Sequence, residues 1–199
     1  MHSLFMPKFE PDEVWFTSDT HFNHKRIIEF SNRPFADVPE MNEELIRRWN
    51  DTVPPDGVVF HLGDFAFGKA PDWRAILDQL HGRIYLVMGN HDYRNYTKAV
   101  ESRFVKVAQQ MSIRVGNQPI ILNHNPFLCY GGAYDGTWQL FGHVHSGPRG
   151  NPGQDIPRLV HLFPTQYDVG VDNNDFRPVS YSQVKARIEE QINQARSRI

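Results

Sequence analysis

The sequence lacks the features of a disulfide-rich, membrane-spanning or strongly charged protein. A single cysteine, Cys129, excludes an internal disulfide framework and any cysteine-rich zinc site. No apolar run approaches the roughly 20 residues that span a bilayer. With 21 basic and 23 acidic residues, the net charge is −2. This near-balance argues against extended duplex nucleic acid and membranes as partners.

The chain does contain enough apolar side chain for a sizeable core. Its 199 residues are 40% hydrophobic and 13% aromatic, which excludes an intrinsically disordered chain. Without a repeat or a long linker, the sequence predicts a single domain over residues 1–199, with a tail at 1–13. The tail has no apolar block of signal-peptide length, so the cytoplasm is the expected location. Because the chain has ten histidines and one cysteine, a bound metal is expected to have nitrogen and oxygen ligands.

Three short apolar runs in the first half predict strands. They are Val14–Thr17, Val58–Leu62 and Ile84–Met88. The runs lack polar alternation, as expected of strands covered on both faces. Helices are predicted between them, because Asp37 to Glu40 form a capping pattern and Asp72 can cap a helix over Trp73 to Leu80. This order indicates a layered α/β fold.

The second half is predicted to be richer in strands, with short connections that favour hairpins and a second sheet. The predicted strands are Phe104–Gln109, Met111–Val115, Ile120–Leu122, Trp138–Phe141, Leu159–Phe163 and Tyr167–Val171. A closing helix is predicted over 180–198, where Ser180 and Gln183 form a capping box.

Polar clusters follow directly after the predicted strands. They contain Asp19 and His21, Asp64, Asn90 to Asp92, His124, and His143 with His145. Ligands bind beyond the carboxyl ends of strands in open α/β sheets, so these side chains are expected to converge. Each alone is ordinary, since an aspartate after a strand is usually a turn former or a helix cap. Together they are costly to bury without a cation, and they therefore indicate a metal site.

The order and spacing of the clusters resemble the five-motif signature of the calcineurin-like metallophosphoesterases. The matching segments are Asp19-x-His21, Gly63-Asp64, Gly89-Asn90-His91-Asp92, His124 and Gly142-His143-x-His145. The segment from Trp15 to His24 and the later Val169-Gly170-Val171-Asp172 resemble a small bacterial single-domain branch of that superfamily. The resemblance implies a four-layer α/β/β/α sandwich of two packed mixed sheets. It also implies a metal-dependent phosphoric ester hydrolase, either a phosphatase or a phosphodiesterase.

The resemblance assigns seven side chains as ligands of two divalent ions: Asp19, His21 and His145 for one, Asn90, His124 and His143 for the other, and Asp64 as the bridge. A bridging carboxylate can hold two cations about 3.5–4 Å apart, which suits in-line phosphoryl displacement by a bridging hydroxide. The mixed imidazole, carboxylate and amide set suits Mn²⁺ best, with Fe, Zn²⁺ or Ni²⁺ as alternatives.

The resemblance makes His91 the group that protonates the leaving oxygen or stabilises the transition state. Asp92 would orient His91 and favour its imidazolium. Asn23 and His24 follow the first cluster and could contact the substrate phosphate. Alternatively, they cap a helix over Lys25 to Phe30.

Three assignments have rivals. His161 competes with His124 as a ligand, although it lies within a predicted strand, where a core role is commoner. Arg149 and Arg158 could clamp phosphate, or could lie on a solvated loop face.

The expected substrate is a small phosphomonoester or phosphodiester. The alternatives are an inactive scaffold on the same fold, which should have lost ligands, and a single-strand nuclease, which needs a basic, aromatic groove.

Overall fold

The computed structural model describes residues 6–148 and 156–197, which form two five-stranded sheets and six α-helices. In chain order the strands are β1 (Lys8–Phe9), β2 (Val14–Thr17), β3 (Val58–His61), β4 (Arg83–Val87), β5 (Lys106–Ala108), β6 (Gln110–Val115), β7 (Gln118–Asn123), β8 (Trp138–Phe141), β9 (Gln166–Asp168) and β10 (Val179–Ser180). The helices are α1 (Lys25–Phe30), α2 (Val38–Thr52), α3 (Ala70–Leu77), α4 (Asp92–Asn95), α5 (Lys98–Glu101) and α6 (Tyr181–Arg196). None of these helices, within the described ranges, is long and apolar enough to cross a bilayer.

The first sheet has the order β10-β2-β3-β4-β5. Strands β2 to β5 are parallel, and β10 joins β2 in the antiparallel sense. The predicted strands β2, β3 and β4 are thus confirmed. Because they are parallel neighbours, their carboxyl ends lie along one edge of the sheet, where the polar clusters begin.

The second sheet has the order β1-β6-β7-β8-β9. Only β6 and β7 form a hairpin, with Gly116 at φ +56° in the turn between them, whereas the other neighbouring pairs are parallel. The predicted second sheet is confirmed, but it contains a single hairpin. The parallel arrangement of β7 and β8 brings two further polar clusters to one edge.

The apolar side chains divide between the two faces of the first sheet. Val59 lies in one core with Trp49 and Trp73 of the outer helices, whereas its neighbour Phe60 lies in the other core with Leu122 of the second sheet. This split follows from the two-residue period of a strand. Helix α6 packs along β9 and β10, which are edge strands of different sheets. The predicted sandwich of two mixed sheets flanked by helices is confirmed.

Two segment predictions are wrong. Residues 8–13 are not a tail, because β1 pairs with β6 and the ring of Phe9 lies 5.2 Å from that of Phe60. Leu159–Phe163 is not a strand, because residues 156–161 form a 3-10 helix in which Val160 is 79% exposed. Pro157 in that segment has no N–H to give to a ladder.

Helix α3 begins earlier than predicted. Asp72 is not its cap residue; it lies in the first turn, where its carboxylate accepts the backbone N–H of Lys69 at 2.7 Å. Pro71 occupies the start of the helix, where a missing N–H costs nothing. Helix α6 begins as predicted, with the capping box of Ser180 and Gln183.

Candidate active site

The polar clusters of both sheets meet at one edge of the sandwich. The loops after β2, β3 and β4 carry Asp19 and His21, Asp64, and Asn90 to Asp92; those after β7 and β8 carry His124, His143 and His145. Two backbone hydrogen bonds join the first loops, from the N–H of Asp19 to the Gly63 carbonyl (2.9 Å) and from the N–H of His21 to the Asp64 carbonyl (3.0 Å). The seven ligand residues assigned from the resemblance are thereby brought together.

Five of these residues adopt a left-handed backbone. Their φ angles range from +48° at His145 to +71° at His143, and the others are Asp19, His21 and Asp64. Aspartate, asparagine and histidine are the non-glycine residues that tolerate this region best. The same residue types bind metals, so the loops satisfy a backbone requirement and a chemical one together.

Asp19, His21 and His145 form the first ligand group, with ligand atoms all within 4.8 Å of one another. Nε2 of His21 and Nε2 of His145 each lie 3.9 Å from Oδ1 of Asp19. Asp19 Oδ1 and His21 Nε2 are buried and, among the described residues, have no hydrogen-bond partner. Such atoms are costly to bury unless a cation lies between them. The group therefore fits a divalent metal.

The tautomer of His145 supports this interpretation. Its Nδ1 lies 2.7 Å from Oδ2 of Asp172 and must donate to that carboxylate. Burial lowers the pKa of His145, but the hydrogen bond to Asp172 and the Asp19 charge outweigh burial and raise it, and Nε2 is left as the ring atom that faces Asp19 and could bind a metal. Burial and the charge of the neighbouring His145 hold the pKa of His21 well below its usual value, so His21 is a neutral imidazole able to bind a metal.

Asn90, His124 and His143 form the second ligand group. The Oδ1 atom of Asn90 lies 3.0 Å from Nε2 of His124 and 2.9 Å from Nδ1 of His143. Nδ1 of His124 donates to the Leu62 carbonyl at 2.8 Å, so Nε2 directs a lone pair at the Asn90 oxygen. A lone pair facing an oxygen is repulsive without an intervening proton or cation. The arrangement fits a second metal.

Asp64 lies between the two groups. Its Oδ2 is 3.5 Å from Nε2 of His21 and 3.6 Å from Nε2 of His124. Burial and the Asp19 carboxylate raise the pKa of Asp64 to about 7, against the hydrogen bond that the His91 N–H donates to it. A cation on each side would offset both effects, which is what a bridging ligand requires.

The structure gives Asp92 a different role from the predicted one. Its two oxygens accept backbone N–H groups from Gly89 (2.9 Å), Asp64 (2.8 Å) and Phe65 (2.9 Å). The buried carboxylate thus ties the β3 and β4 loops together and is not directed at the His91 imidazole. Burial and the neighbouring His124 lower the pKa of His91, the opposite of a stabilised imidazolium.

Asn23 also differs from its prediction as a substrate ligand. Its Nδ2 donates to the Phe67 carbonyl (3.3 Å), while its Oδ1 accepts from Asn42 (2.6 Å). The amide thus links the first loop to α2. His24 begins α1 without a side-chain capping bond, and it faces a pocket of 480 Å³. The pocket is lined by His21, His24, Arg26, Ile27, Glu29, Phe30, His91 and His145.

Arg33 was missed by the sequence analysis. Its guanidinium is buried and binds Asp172 at two points, through Nε (2.9 Å) and Nη2 (2.8 Å). It also donates to the backbone carbonyls of Asp19 (2.7 Å) and Thr20 (2.9 Å). Asp172 could be noticed in the sequence, because it ends the segment Val169-Gly170-Val171-Asp172 that carries part of the family resemblance. Nothing in the sequence indicates that Arg33 is its partner.

The rival assignments are placed as follows. Nε2 of His124 is within the ligand group, whereas His161 lies with Arg158 in the wall of a separate 370 Å³ pocket beside His143. Arg149 lies outside the described residues. A further pocket of 500 Å³ between β9 and α6 contains none of the seven ligand residues.

The comparison with known families agrees with this geometry. A sequence model of the calcineurin-like phosphoesterases matches residues 13–171. The chain belongs to this family and is a metal-dependent phosphoric ester hydrolase.

Similar proteins come from an archaeon and from bacteriophages. The uncharacterized protein MJ1445 of Methanocaldococcus jannaschii is 33% identical over 180 residues, covering 89% of this chain and 92% of its own. The gene 66 protein of Mycobacterium phage L5 is 30% identical over 189 residues, covering 80% and 86%. Among solved structures, the protein of unknown function AQ665 from Aquifex aeolicus shares the fold, with a TM-score of 0.65 and 24% identity over 87% of this chain and 97% of that one.

Proposed function

We propose that this protein hydrolyses a small phosphomonoester or phosphodiester at a dinuclear metal centre. The supporting observation is the convergence of two ligand groups on Asp64, where buried ligand atoms face one another and, among the described residues, Asp19 Oδ1 and His21 Nε2 have no hydrogen-bond partner. Two divalent ions at these positions would acidify a water molecule and neutralise the phosphoryl oxygens. The mixed nitrogen and oxygen donors favour Mn²⁺, with Fe, Zn²⁺ or Ni²⁺ as alternatives.

The chain's own residues divide the work. Asp19, His21 and His145 would hold one ion, Asn90, His124 and His143 the other, and Asp64 both. His91 stands beside this set with its side chain 43% exposed and its Nε2 4.0 Å from Oδ2 of Asp64. It lines the 480 Å³ pocket, so its imidazolium form would give a proton to a leaving oxygen there, although burial lowers the pKa of His91 and makes this form less abundant.

A small substrate is supported by the charge and the site. The net charge of −2 provides little attraction for extended duplex nucleic acid or an anionic membrane. The inactive-scaffold alternative is weakened because all seven ligand side chains are present and directed toward one another.

The test is a matrix of metals and substrates. Protein loaded with Mn²⁺, Zn²⁺, Ni²⁺ or Mg²⁺ is assayed on phosphomonoesters, phosphodiesters, cyclic nucleotides and a single-stranded oligonucleotide. Asp64→Asn serves as the blank and is expected to lose most activity with every active metal. Full activity in the blank, or no bound metal in protein grown with excess metal, contradicts the proposal. His91→Ala is expected to lose turnover and keep both ions, and loss of metal from this variant would show that His91 is a ligand.

A further inference from the structure

His24 lies beside the first ligand group without belonging to it. Its ring stacks on Phe67, with centroids 3.9 Å apart and planes at 18°. The ring centroid of His21 lies 5.3 Å away and that of His91 lies 6.0 Å away. His24 makes no side-chain capping bond to α1, so helix capping does not account for its position. Its edge lines the 480 Å³ pocket shared with His91.

One contact indicates where the proton of a neutral His24 would lie once His21 binds a metal through Nε2. Its Nδ1 is 3.4 Å from Nδ1 of His21, so one of the two nitrogens must donate to the other. Nε2 of His21 faces the carboxylates of Asp19 and Asp64 and is the atom that can bind a metal. An imidazole that binds a metal through Nε2 keeps its proton on Nδ1. His21 therefore donates, His24 accepts on Nδ1, and the remaining proton of neutral His24 lies on Nε2.

We propose that His24 is a substrate-binding residue whose Nε2–H donates a hydrogen bond to a phosphoryl oxygen of the bound ester. This inference rests on the proposed function and assigns His24 and His91 different tasks in one pocket. His91 gives a proton to the leaving oxygen, whereas His24 donates a hydrogen bond to an oxygen that stays on phosphorus. A neutral Nε2–H is sufficient for this task, because the position calls for a hydrogen-bond donor and not for a proton that is transferred. Phe67 keeps the imidazole plane in place.

The two tasks respond differently to the leaving group. A p-nitrophenolate departs readily without a proton, whereas a phenolate needs more help from a general acid. Loss of His91 is therefore expected to harm hydrolysis of a phenyl ester more than that of a p-nitrophenyl ester. Charge on the retained phosphoryl oxygens is present with either ester, so loss of His24 is expected to harm both by a similar factor.

The experiment compares variants on matched esters of the type that the wild-type protein cleaves, either phenyl and p-nitrophenyl phosphate or diphenyl and bis(p-nitrophenyl) phosphate. His24→Phe can keep the stacking on Phe67 and removes the donor. His24→Gln restores an N–H at a similar distance. With Mn²⁺ bound, we expect His24→Phe to lower kcat/KM about 10- to 100-fold on both esters, as for one hydrogen bond to a charged group. We expect His24→Gln to recover part of the loss, and the Mn²⁺ content of both variants to match that of the wild type.

Two readouts are independent of turnover. Calorimetry with inorganic phosphate on the Mn²⁺-loaded proteins is expected to show weaker binding by His24→Phe than by His24→Gln. Nitrogen-15 spectra of the Zn²⁺-loaded wild type are expected to show His24 protonated on Nε2. The inference is overturned if His24→Phe equals the wild type, if its loss depends on the leaving group, if it loses metal, or if the His24 proton lies on Nδ1. Full activity in Asp64→Asn would contradict the proposed function. The phosphate-binding and tautomer measurements would then still test the proposed role of His24.

Discussion

Arg33 and Asp172, which are 139 residues apart, form a buried two-point ion pair behind the imidazole of His145. The same guanidinium donates to the backbone carbonyl of Asp19. One buried cation thus holds two loops that carry ligands of the first group. Groups behind a metal ligand commonly set its orientation and tautomer.

We expect Arg33→Lys to weaken metal binding at the first group. Lysine can replace the charge but cannot reproduce two parallel hydrogen bonds and two carbonyl contacts. Loss of such support typically costs about 10- to 100-fold in metal affinity. Calorimetric titration of the metal-free protein with Mn²⁺ measures the effect. Arg47→Lys is the matched control, since Arg47 pairs with Glu44 on the surface, and unchanged Mn²⁺ affinity is expected for it. Wild-type affinity in Arg33→Lys would show that the pair does not support the site.

The lowered pKa of the Asp172 carboxyl predicts how the free energy of unfolding depends on pH. Burial raises the pKa of its carboxyl, but Arg33 and the hydrogen bond from His145 outweigh burial and lower the pKa to about 2. Its contribution to stability is therefore full above the unfolded pKa of about 3.9 and is lost as the pH falls toward 2. This contribution of Asp172 to the free energy of unfolding is about 2 kcal/mol. Urea unfolding of the metal-free protein from pH 6 to pH 2 should show a gap between wild type and Asp172→Asn that narrows as the pH falls. A gap independent of pH would contradict this linkage.

Gly142→Ala is expected to displace Asp19 and reduce metal binding. A Cβ at this position would overlap the Ser18 Oγ and Asp19 Oδ2 atoms. The loop or the carboxylate must then shift, and Oδ2 of Asp19 also accepts the backbone N–H of His143 (2.9 Å). Gly131→Ala is the control, because a Cβ there meets no heavy atom within 4 Å. Metal content and thermal unfolding separate the two variants, and equal metal content would show that the loop yields without moving Asp19.

The amide of Asn23 is expected to contribute to stability and not to substrate binding. Its contacts with Asn42 and the Phe67 carbonyl join α2 to two loops. Asn23→Ala and Asn42→Ala should each lower the free energy of unfolding by about 1 kcal/mol. Because the two residues share two hydrogen bonds, the double variant should lose less than the sum of the single losses. A raised KM without a loss of stability in Asn23→Ala would restore the role predicted from the sequence.

The sequence was sufficient where local pattern and function coincide. The strands β2, β3 and β4 end two or three residues before Asp19, Asp64 and Asn90, so each motif could be placed just after a strand end. The clustered histidines and carboxylates indicated a metal site because burying them alone is unfavourable, and the family resemblance assigned the individual ligands.

The sequence was insufficient where a role depends on distant partners. Arg33 stands in a loop with no periodic signal, and its partner follows 139 residues later. Asp92 follows His91 directly, but its carboxylate turns to backbone N–H groups that only the folded loops bring near. Leu159–Phe163 has the composition of a strand, yet Val160 is exposed, and composition does not reveal which face is covered.

The left-handed residues around the site restrict which mutations this protein can accept. Replacing His143 with valine or isoleucine would remove a nitrogen and also force a branched side chain into a disfavoured backbone region. Asparagine or aspartate would fit the loop and could still offer an oxygen. The substitutions that these positions accept are therefore mostly residues that can coordinate a cation. Mutation can change which ion is bound more readily than it can abolish ion binding.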